Sequence, residues 1–215
     1  MSTNEPVVID VVSDVVCPWC YIGKRRLERA LALRPDVPVE VRWRPFFLNP
    51  WLPREGISRA DYLETKFGSI DAYKPMAKRV AAIAAAEGLF YEVGSIAWQP
   101  NTLDCHRLIL WAHQRGDAAK MKQRLMDLYF AEGANLSDRE VLVAAARAGG
   151  LDPEEVRRDL AGDRDVETVT QQAERASAAG VNGVPFYIFN NKIGVSGAQS
   201  PEVLAEAMDR AREVA

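Results

Sequence analysis

The segment VVIDVVSDVVCPWCYIGKRR, residues 7–26, dictates how the rest of the chain is interpreted. Its first six residues are mostly β-branched, and a run of that length and composition predicts a buried strand rather than a helix. From the second cysteine onward, apolar residues recur at helical spacing, as at Gly23, Leu27 and Ala30, which predicts an amphipathic helix. A Cys-Pro-Trp-Cys sequence therefore stands between a strand and the start of a helix.

The C-terminal part of the chain predicts a helix, a hairpin and a final helix. A long helix is expected over residues 163–180. The aromatic and β-branched run at residues 186–189 predicts a strand, and Asn190-Asn191 predicts a tight turn. Residues 192–195 can return as the partner strand, and Ser200-Pro201 then begins the last helix.

The N-terminal half supplies the complementary elements. Residues 39–44 alternate between apolar and polar, the pattern of a strand with one covered face, so this half has the order βαβ. Followed by αββα at the other end, that order predicts an α/β protein with a thioredoxin fold and an inserted all-α helical domain. We place the thioredoxin-like domain at residues 1–55 and 160–215, and the helical insertion at residues 56–159.

The inserted region is rich in Ala and Leu and has recognisable helix starts. Residues 58–61 and 137–140 both have the spacing of a capping box, and Asp152-Pro153 places a capping residue before a proline at the first helical position. Two apolar faces are predicted from helical spacing, one formed by Cys105, Leu108, Ile109 and Ala112 and the next by Met121, Leu125 and Leu128. We therefore expect a helical bundle here.

Charge and hydropathy exclude several classes of protein. Lys and Arg number 27 and Asp and Glu 30, so the net charge of −3 gives no general attraction to nucleic acid. The longest strictly apolar run, residues 80–86, is far shorter than the roughly 20 residues of a membrane helix. The basic cluster Lys24-Arg25-Arg26 is expected on a solvated helix face. Residues 1–16 hold no Lys or Arg, unlike a secretory signal, and we expect the chain to stay in the cytoplasm.

Three cysteines, Cys17, Cys20 and Cys105, require an explanation. A structural zinc site would need ligands from Cys105, His106 and His113, whose angular positions on a helix converge poorly, so no metal is expected. The redox alternative places Cys17 at a helix N-terminus, where backbone N–H groups and the helix dipole stabilise a thiolate. Cys17 is then the nucleophile, and Cys20, one turn inward on the buried face, is the resolving thiol.

Four further residues are predicted to bind substrate beside Cys17. Pro18 suits an early helical position, and Trp19 can present an aromatic surface next to the sulfur or simply pack. Val184 and Pro185 form a turn directly before an apolar strand, a natural place for a cis peptide bond.

Three other residues are expected to be structural. His106 and His113 lie in a helical stripe typical of hydrogen-bonded packing, and Cys105 is expected to be an inert buried thiol. Asp14 is left with two interpretations, as a group that tunes proton transfer or as a cap of the loop before Cys17.

The Cys-Pro-Trp-Cys pair and the Gly183-Val184-Pro185 turn resemble the thioredoxin superfamily, with an insertion similar to the DsbA-type arrangement. More narrowly, four motifs resemble the FrnE-like branch, a relative of 2-hydroxychromene-2-carboxylate isomerases and kappa-class glutathione transferases. They are Cys-Pro-Trp-Cys-Tyr-Ile-Gly at 17–23, Asn101-Thr102 with His106-Arg107-Leu108, Tyr129-Phe130 with Glu132-Gly133, and Ser196-Gly197-Ala198-Gln199. The resemblance implies that Cys17 and Cys20 form the redox pair and that Val184 and Pro185 hold a substrate strand beside Cys17.

A thiol-disulfide oxidoreductase is the leading functional prediction, with a disulfide-bearing protein or a small thiol as substrate. No bound cofactor is expected, although glutathione is possible as a co-substrate, and the protein would act as a monomer or homodimer. One alternative is a glutathione-dependent isomerase or transferase of a small aromatic or polyketide-like molecule, with residues 196–199 binding a glutathione carboxylate through backbone donors. Another is a redox sensor or holdase without turnover.

Overall fold

The computed structural model describes residues 5–213. Six strands are present in this part of the chain: β1 (Val7–Ser13), β2 (Val39–Pro45), β3 (Ile57–Ser58), β4 (Trp98–Gln99), β5 (Phe186–Phe189) and β6 (Ile193–Ser196). Four of them form a mixed sheet in the order β2-β1-β5-β6. β1 pairs with β2 in parallel, whereas β5 is antiparallel to both β1 and β6. β3 and β4 form a separate two-stranded ribbon.

Helices α1 and α9 flank the sheet, and the others lie between β2 and β5 in sequence. The helices of the described residues are α1 (Pro18–Ala32), α2 (Arg59–Phe67), α3 (Ile70–Ala86), α4 (Leu103–Arg115), α5 (Ala118–Phe130), α6 (Arg139–Ala145), α7 (Pro153–Ala161), α8 (Val166–Ala178) and α9 (Pro201–Glu213). Two short 3₁₀ turns occupy Val93–Ser95 and Ala146–Gly149. The thioredoxin fold with a helical insertion, predicted from the sequence, is confirmed.

Two of the three apolar clusters among the described residues position the sheet and the start of α1. The smaller joins α1 and α9 to the sheet through residues such as Ile9, Leu27 and Met208. The larger is built mainly from the inserted helices, yet it also contains both Cys17 and Cys20. The beginning of α1 therefore lies where the sheet meets the helical insertion, and burial of apolar area from both parts fixes its position.

The predicted buried faces are confirmed. The side chains of α4 and α5 that helical spacing places inside are all buried, namely Cys105, Leu108, Ile109, Ala112, Met121, Leu125 and Leu128. The predicted turn between β5 and β6 is also present, with Asn190 and Asn191 both at positive φ. Asn tolerates this left-handed conformation better than most residues.

Three local predictions are wrong. Lys24 is buried rather than solvated, because its ammonium pairs with Glu28 and hydrogen-bonds Gln123. Helix α6 is capped by Asp138 instead of Ser137, since the helix begins one residue later than the capping-box spacing implies. The helix expected over 163–180 begins only at Val166, because the preceding Asp165 has a left-handed backbone that cannot continue a helix.

Candidate active site

Cys17 is the N-cap of α1, and Pro18 occupies the first helical position. Proline is favourable there because its fixed φ suits the helix and its missing N–H would have had no partner. The N–H groups of Cys20 and Tyr21 donate to the Cys17 carbonyl at 3.0 and 3.1 Å, which closes the first turn. Both thiols are free and buried, and Cys17 is 3% exposed.

The pKa values of the two thiols are shifted in opposite directions. A hydrogen bond from the Cys20 thiol lowers the pKa of Cys17 below its usual value, helped by the N–H groups of Cys20 and Trp19 and opposed by burial and the charge of Asp14. Burial, and the thiol's hydrogen bond and charge interaction with Cys17, raise the pKa of Cys20 well above its usual value. The arrangement thus places a thiol of lowered pKa a single turn from a thiol of raised pKa.

The Val184–Pro185 turn lies directly against the first cysteine. Its peptide bond is cis, and the Cys17 Sγ is 3.6 Å from the Val184 carbonyl oxygen, to which the protonated thiol donates. The Gly197 N–H donates to the Pro185 carbonyl at 2.8 Å and so connects the turn to the end of β6. Residues 167 positions apart in sequence are therefore adjacent at the sulfur.

Gly23 explains how α1 approaches this turn so closely. A Cβ at position 23 would lie 2.4 Å from the Tyr187 hydroxyl and 2.8 Å from the Pro185 Cγ, both too short for real contacts. Only glycine permits this packing of the helix against the proline. The glycine that ends the quoted Cys-Pro-Trp-Cys-Tyr-Ile-Gly motif is thus a geometric requirement of the site.

A cavity of about 300 Å³ opens beside Cys17. Pro18, Val184 and Trp19 line its edge, and the Trp19 side chain is 38% exposed. Its other walls come mainly from the inserted helices and are rich in aromatic rings, contributed by Tyr62, Phe67, Tyr73, Tyr91 and Tyr129. A partly exposed aromatic surface thus adjoins the sulfur, as predicted for Trp19.

Residues 8–209, almost all of the described chain, match the family model of the DsbA-like thioredoxin domain. The chain belongs to the DsbA-like thioredoxin family. Its catalytic-type cysteine pair and the Val184–Pro185 turn both lie inside the matched region.

The chain is similar to three further proteins in sequence or in fold. A probable DsbA oxidoreductase of Streptomyces coelicolor is 36% identical, and the match covers 95% of this chain and 89% of that one with a TM-score of 0.87. The uncharacterized protein YwbO of Bacillus subtilis is 26% identical, over 94% of this chain and 96% of its own. The cytosolic disulfide reductase DsbM of Pseudomonas aeruginosa, solved with GSH, shares the fold at 17% identity, 96% coverage of both chains and a TM-score of 0.64.

Asp14 caps the loop that precedes Cys17. Its buried carboxylate accepts from the N–H groups of Val15 at 2.7 Å and Leu48 at 2.8 Å, and it lies 3.3 Å from the Nε2 of His106. Burial lowers the pKa of His106, which favours the neutral ring at pH 7. His106 is buried and hydrogen-bonded, as predicted for a packing residue, while Asp14 caps the loop and its charge also raises the pKa of Cys17.

Asp14→Asn is expected to lower the pKa of Cys17 further, because the Asp14 charge opposes the thiolate while Asn retains an acceptor for one of the two loop N–H groups. The rate of Cys17 alkylation by iodoacetamide, followed by mass spectrometry between pH 4 and 9, should therefore rise severalfold on the acidic side. Asp36→Asn, in an exposed turn, makes the same charge change remotely and serves as control. An unchanged or higher midpoint in Asp14→Asn would contradict this account of the site.

Lys122 is the charged residue that our sequence interpretation missed. Its side chain is buried, its ammonium has no hydrogen-bond partner among the described residues, and it lies 5.3 Å from the centroid of the Trp43 ring. Burial lowers its pKa to about 8, whereas Cys20 and Asp14 act in the opposite direction. A signal was present, since Lys122 stands three and four residues before the buried Leu125 and Met126 on α5.

The other cysteine and the second histidine lie apart from this site. Cys105 is fully buried in α4, and burial raises its pKa well above the usual value, as expected of an inert thiol. His113 is exposed in the last turn of the same helix. Among residues 5–213, no three His, Cys, Asp or Glu side chains are arranged to hold a metal ion. Within the same range, no helix has the length and apolar composition required to cross a bilayer.

Several hydrogen-bonding groups of the loop at residues 196–199 already have partners within the protein. The N–H of Gly197 donates to Pro185, that of Gln199 to Gly197, and the Gln199 side-chain amide to the Ser196 carbonyl. The Arg26 guanidinium also donates to the carbonyl of Ala198. This loop is therefore a turn that connects β6 to α9, and two of the backbone donors considered for a carboxylate already have partners.

Proposed function

We propose that this protein is a thiol-disulfide oxidoreductase in which Cys17 is the nucleophile and Cys20 the resolving thiol. The observation that supports this most directly is the hydrogen-bonded thiol pair at the start of α1, with a low pKa at Cys17 and a high one at Cys20. A thiolate is the reactive species in disulfide exchange, and the attacking thiol should have a pKa near or below ambient pH. Membership of the DsbA-like family agrees with this chemistry.

The reaction has two exchanges. The Cys17 thiolate attacks one sulfur of a substrate disulfide, the substrate S–S bond breaks, and the displaced half leaves as a thiolate that takes a proton from solvent. Cys20 then loses its proton and attacks the Cys17 sulfur, which releases the second half as a thiol. The substrate is reduced by two electrons, and the protein is left with a Cys17–Cys20 disulfide.

Substrate would lie between Trp19 and the Val184–Pro185 turn. The Val184 carbonyl, 3.6 Å from the Cys17 sulfur, is the acceptor nearest to the reacting atom. Once Cys17 is ionised or bonded to substrate it no longer donates to this carbonyl, which is then available to a donor of the substrate. Pro18 and Trp19 flank the sulfur on the helix side and supply apolar contact.

Turnover needs an external thiol to reduce the Cys17–Cys20 disulfide, and we propose glutathione or a similar small thiol as co-substrate. The likeness in fold to DsbM, a cytosolic disulfide reductase solved with GSH, supports both this choice and a cytoplasmic location. In the opposite direction the oxidised protein would accept electrons from a dithiol. Calorimetry with glutathione tests this co-substrate and also the isomerase or transferase alternative, which stays a prediction.

Cys20→Ser is expected to arrest the reaction after the first exchange, because serine cannot displace the substrate from Cys17. Incubation with glutathione disulfide or with a disulfide-bearing peptide should then accumulate a one-to-one adduct, measured by intact mass under non-reducing conditions. Cys105→Ala, which removes a buried thiol outside the site, should form no lasting adduct and should turn over normally. Normal turnover by Cys20→Ser would overturn the proposed mechanism.

A further inference from the structure

The cavity beside Cys17 contains two cations whose partners are neutral. The Arg59 guanidinium, on the first residue of α2, donates to the Gln99 side chain and to the hydroxyls of Tyr129 and Tyr73. Lys66, near the end of the same helix, donates to the amide oxygen of Asn49 at 2.5 Å. Among the described residues, neither cation has an Asp or Glu partner within ion-pair distance. Both side chains line the cavity, so an anion inside it would meet two uncompensated positive charges.

Lys66 is electrostatically coupled to the reactive sulfur. Burial lowers the pKa of Lys66, and the negative charge of Cys17 raises it. Arg59 lies deeper, with its guanidinium 5.0 Å from the ring centroid of Tyr62 and 5.1 Å from that of Tyr73. The cavity is therefore lined by aromatic rings, by two cations and by Cys17.

The volume and the lining residues of the cavity determine which kind of molecule it can bind. The cavity holds about 300 Å³, at the lower end of the range for small-molecule sites, roughly 300 to 1,000 Å³. Its walls are largely apolar, and Phe67, Tyr73 and Val80 of the inserted helices line it together with Cys17. One aromatic ring with a short substituent fits this space.

The geometry points to a specific substrate class: a small aromatic disulfide or thiol with a carboxylate, whose ring fills the cavity and whose carboxylate binds Arg59 and Lys66. This inference rests on the proposed oxidoreductase function. The chemistry is unchanged: Cys17 takes up the bound half as a mixed disulfide, the other half leaves as a thiol, and Cys20 releases the bound half. Arg59 and Lys66 are binding residues in this scheme and take no part in proton or electron transfer.

The test compares two disulfides that differ only in charge, those of 4-mercaptobenzoate and 4-mercaptobenzamide. With glutathione as reductant, wild-type protein should have a kcat/KM for the carboxylate that is roughly tenfold or more above that for the amide, through a lower KM. Arg59→Gln and Lys66→Gln should each lose most of this preference, measured as the ratio of the two kcat/KM values within each variant, because loss of the Lys66 charge also changes the reactivity of Cys17 toward both disulfides. Lys78→Gln, an exposed change on α3, is the matched control and should keep the preference.

The outcomes separate the inference from the function on which it rests. Equal kcat/KM values for both disulfides in wild-type protein, or a preference unchanged in both cavity variants, would overturn the inference and leave the oxidoreductase intact. Calorimetry with the unreactive thioether 4-(methylthio)benzoate measures binding to the cavity without any redox step. Binding that weakens in Lys66→Gln would support the inference even if neither disulfide were reduced, whereas no binding to wild type would count against it.

Insulin reduction tests for the other possible occupant of the cavity, a polypeptide substrate. Insulin reduction should fall much less in Arg59→Gln and Lys66→Gln than reduction of the carboxylate disulfide does, because a protein disulfide would use the surface near Trp19 instead of the interior of the cavity. If both variants lost insulin reduction as strongly as reduction of the carboxylate disulfide, the cavity would belong to a polypeptide groove and the small-molecule inference would be wrong. Arg59→Gln alters contacts to two tyrosines, so Lys66→Gln, an exposed position, decides this comparison.

Discussion

Cys17→Ser is expected to reduce disulfide turnover by roughly a thousandfold or more, as is usual when a covalent nucleophile is removed. A serine hydroxyl at the N-terminus of α1 stays protonated near neutral pH and cannot open a disulfide. Reduction of insulin and of glutathione disulfide, with glutathione or dithiothreitol as reductant, measures the loss. Cys105→Ser makes the same chemical change at a fully buried thiol of α4 and should keep most of the activity.

The pH profile of wild-type protein gives this prediction a second readout. Because the pKa of Cys17 is lowered, the rate of the first exchange should begin to decrease at a lower pH than it would for a cysteine of ordinary pKa. A free thiol of ordinary pKa would already lose most of its reactivity at neutral pH. Turnover by Cys17→Ser near the wild-type rate, or a rate that rises only above pH 8, would refute the assignment of Cys17 as nucleophile.

The sequence was sufficient for those parts of the site that are local. A β-branched run before the Cys-Pro-Trp-Cys sequence and helical spacing after it place Cys17 at the start of α1 and Cys20 one turn inside. The tight turn at Asn190-Asn191 is equally local, because both residues must adopt positive φ. In each case neighbouring residues alone determine the conformation, so the prediction needs no knowledge of packing.

The features of the site that could not be predicted from the sequence depend on which elements pack against each other. Arg59 and Lys66 are ordinary residues of α2 until that helix lies across the cavity from Cys17. Lys24 was placed in solvent because its own helix offers an exposed face there, but Trp43 and Gln123 from other elements cover it. Periodicity within a helix reports that a face is buried, yet it does not report what covers that face.

Lys122 is a buried residue whose charge affects both the stability of the fold and the pKa of Cys20. The fall of its pKa from 10.5 to about 8 corresponds to about 3 kcal/mol at neutral pH, the cost of holding a buried ammonium without a hydrogen-bond partner. The same charge lowers the pKa of Cys20, a thiol that burial makes hard to ionise. A residue that destabilises the fold can therefore help the resolving thiol to react, a trade-off common at functional sites.

Lys122→Met is expected to raise the free energy of unfolding of the reduced protein at pH 7 by up to about 3 kcal/mol, since methionine fills the same space without a charge. A lysine whose pKa is lower in the folded state releases its proton more readily there, so the Lys122 contribution to wild-type stability should rise from about pH 8 to 10.5. The variant should lack this rise. Urea unfolding at pH 7 and pH 10, in a background with both Cys17 and Cys20 replaced by serine, measures it without thiol titration.

The same variant should slow the second exchange by roughly tenfold, because the pKa of Cys20 increases when the Lys122 charge is lost. Stopped reactions should then contain more Cys17 mixed disulfide, while the alkylation rate of Cys17 changes much less. Lys120→Met, an exposed position on the same helix, controls for the loss of a lysine. A merely structural Lys122 would alter stability without adduct accumulation. A Lys122→Met protein that is less stable than wild type would show that the buried ammonium does not destabilise the fold. Normal adduct release by the same variant would show that the ammonium does not help Cys20 to react.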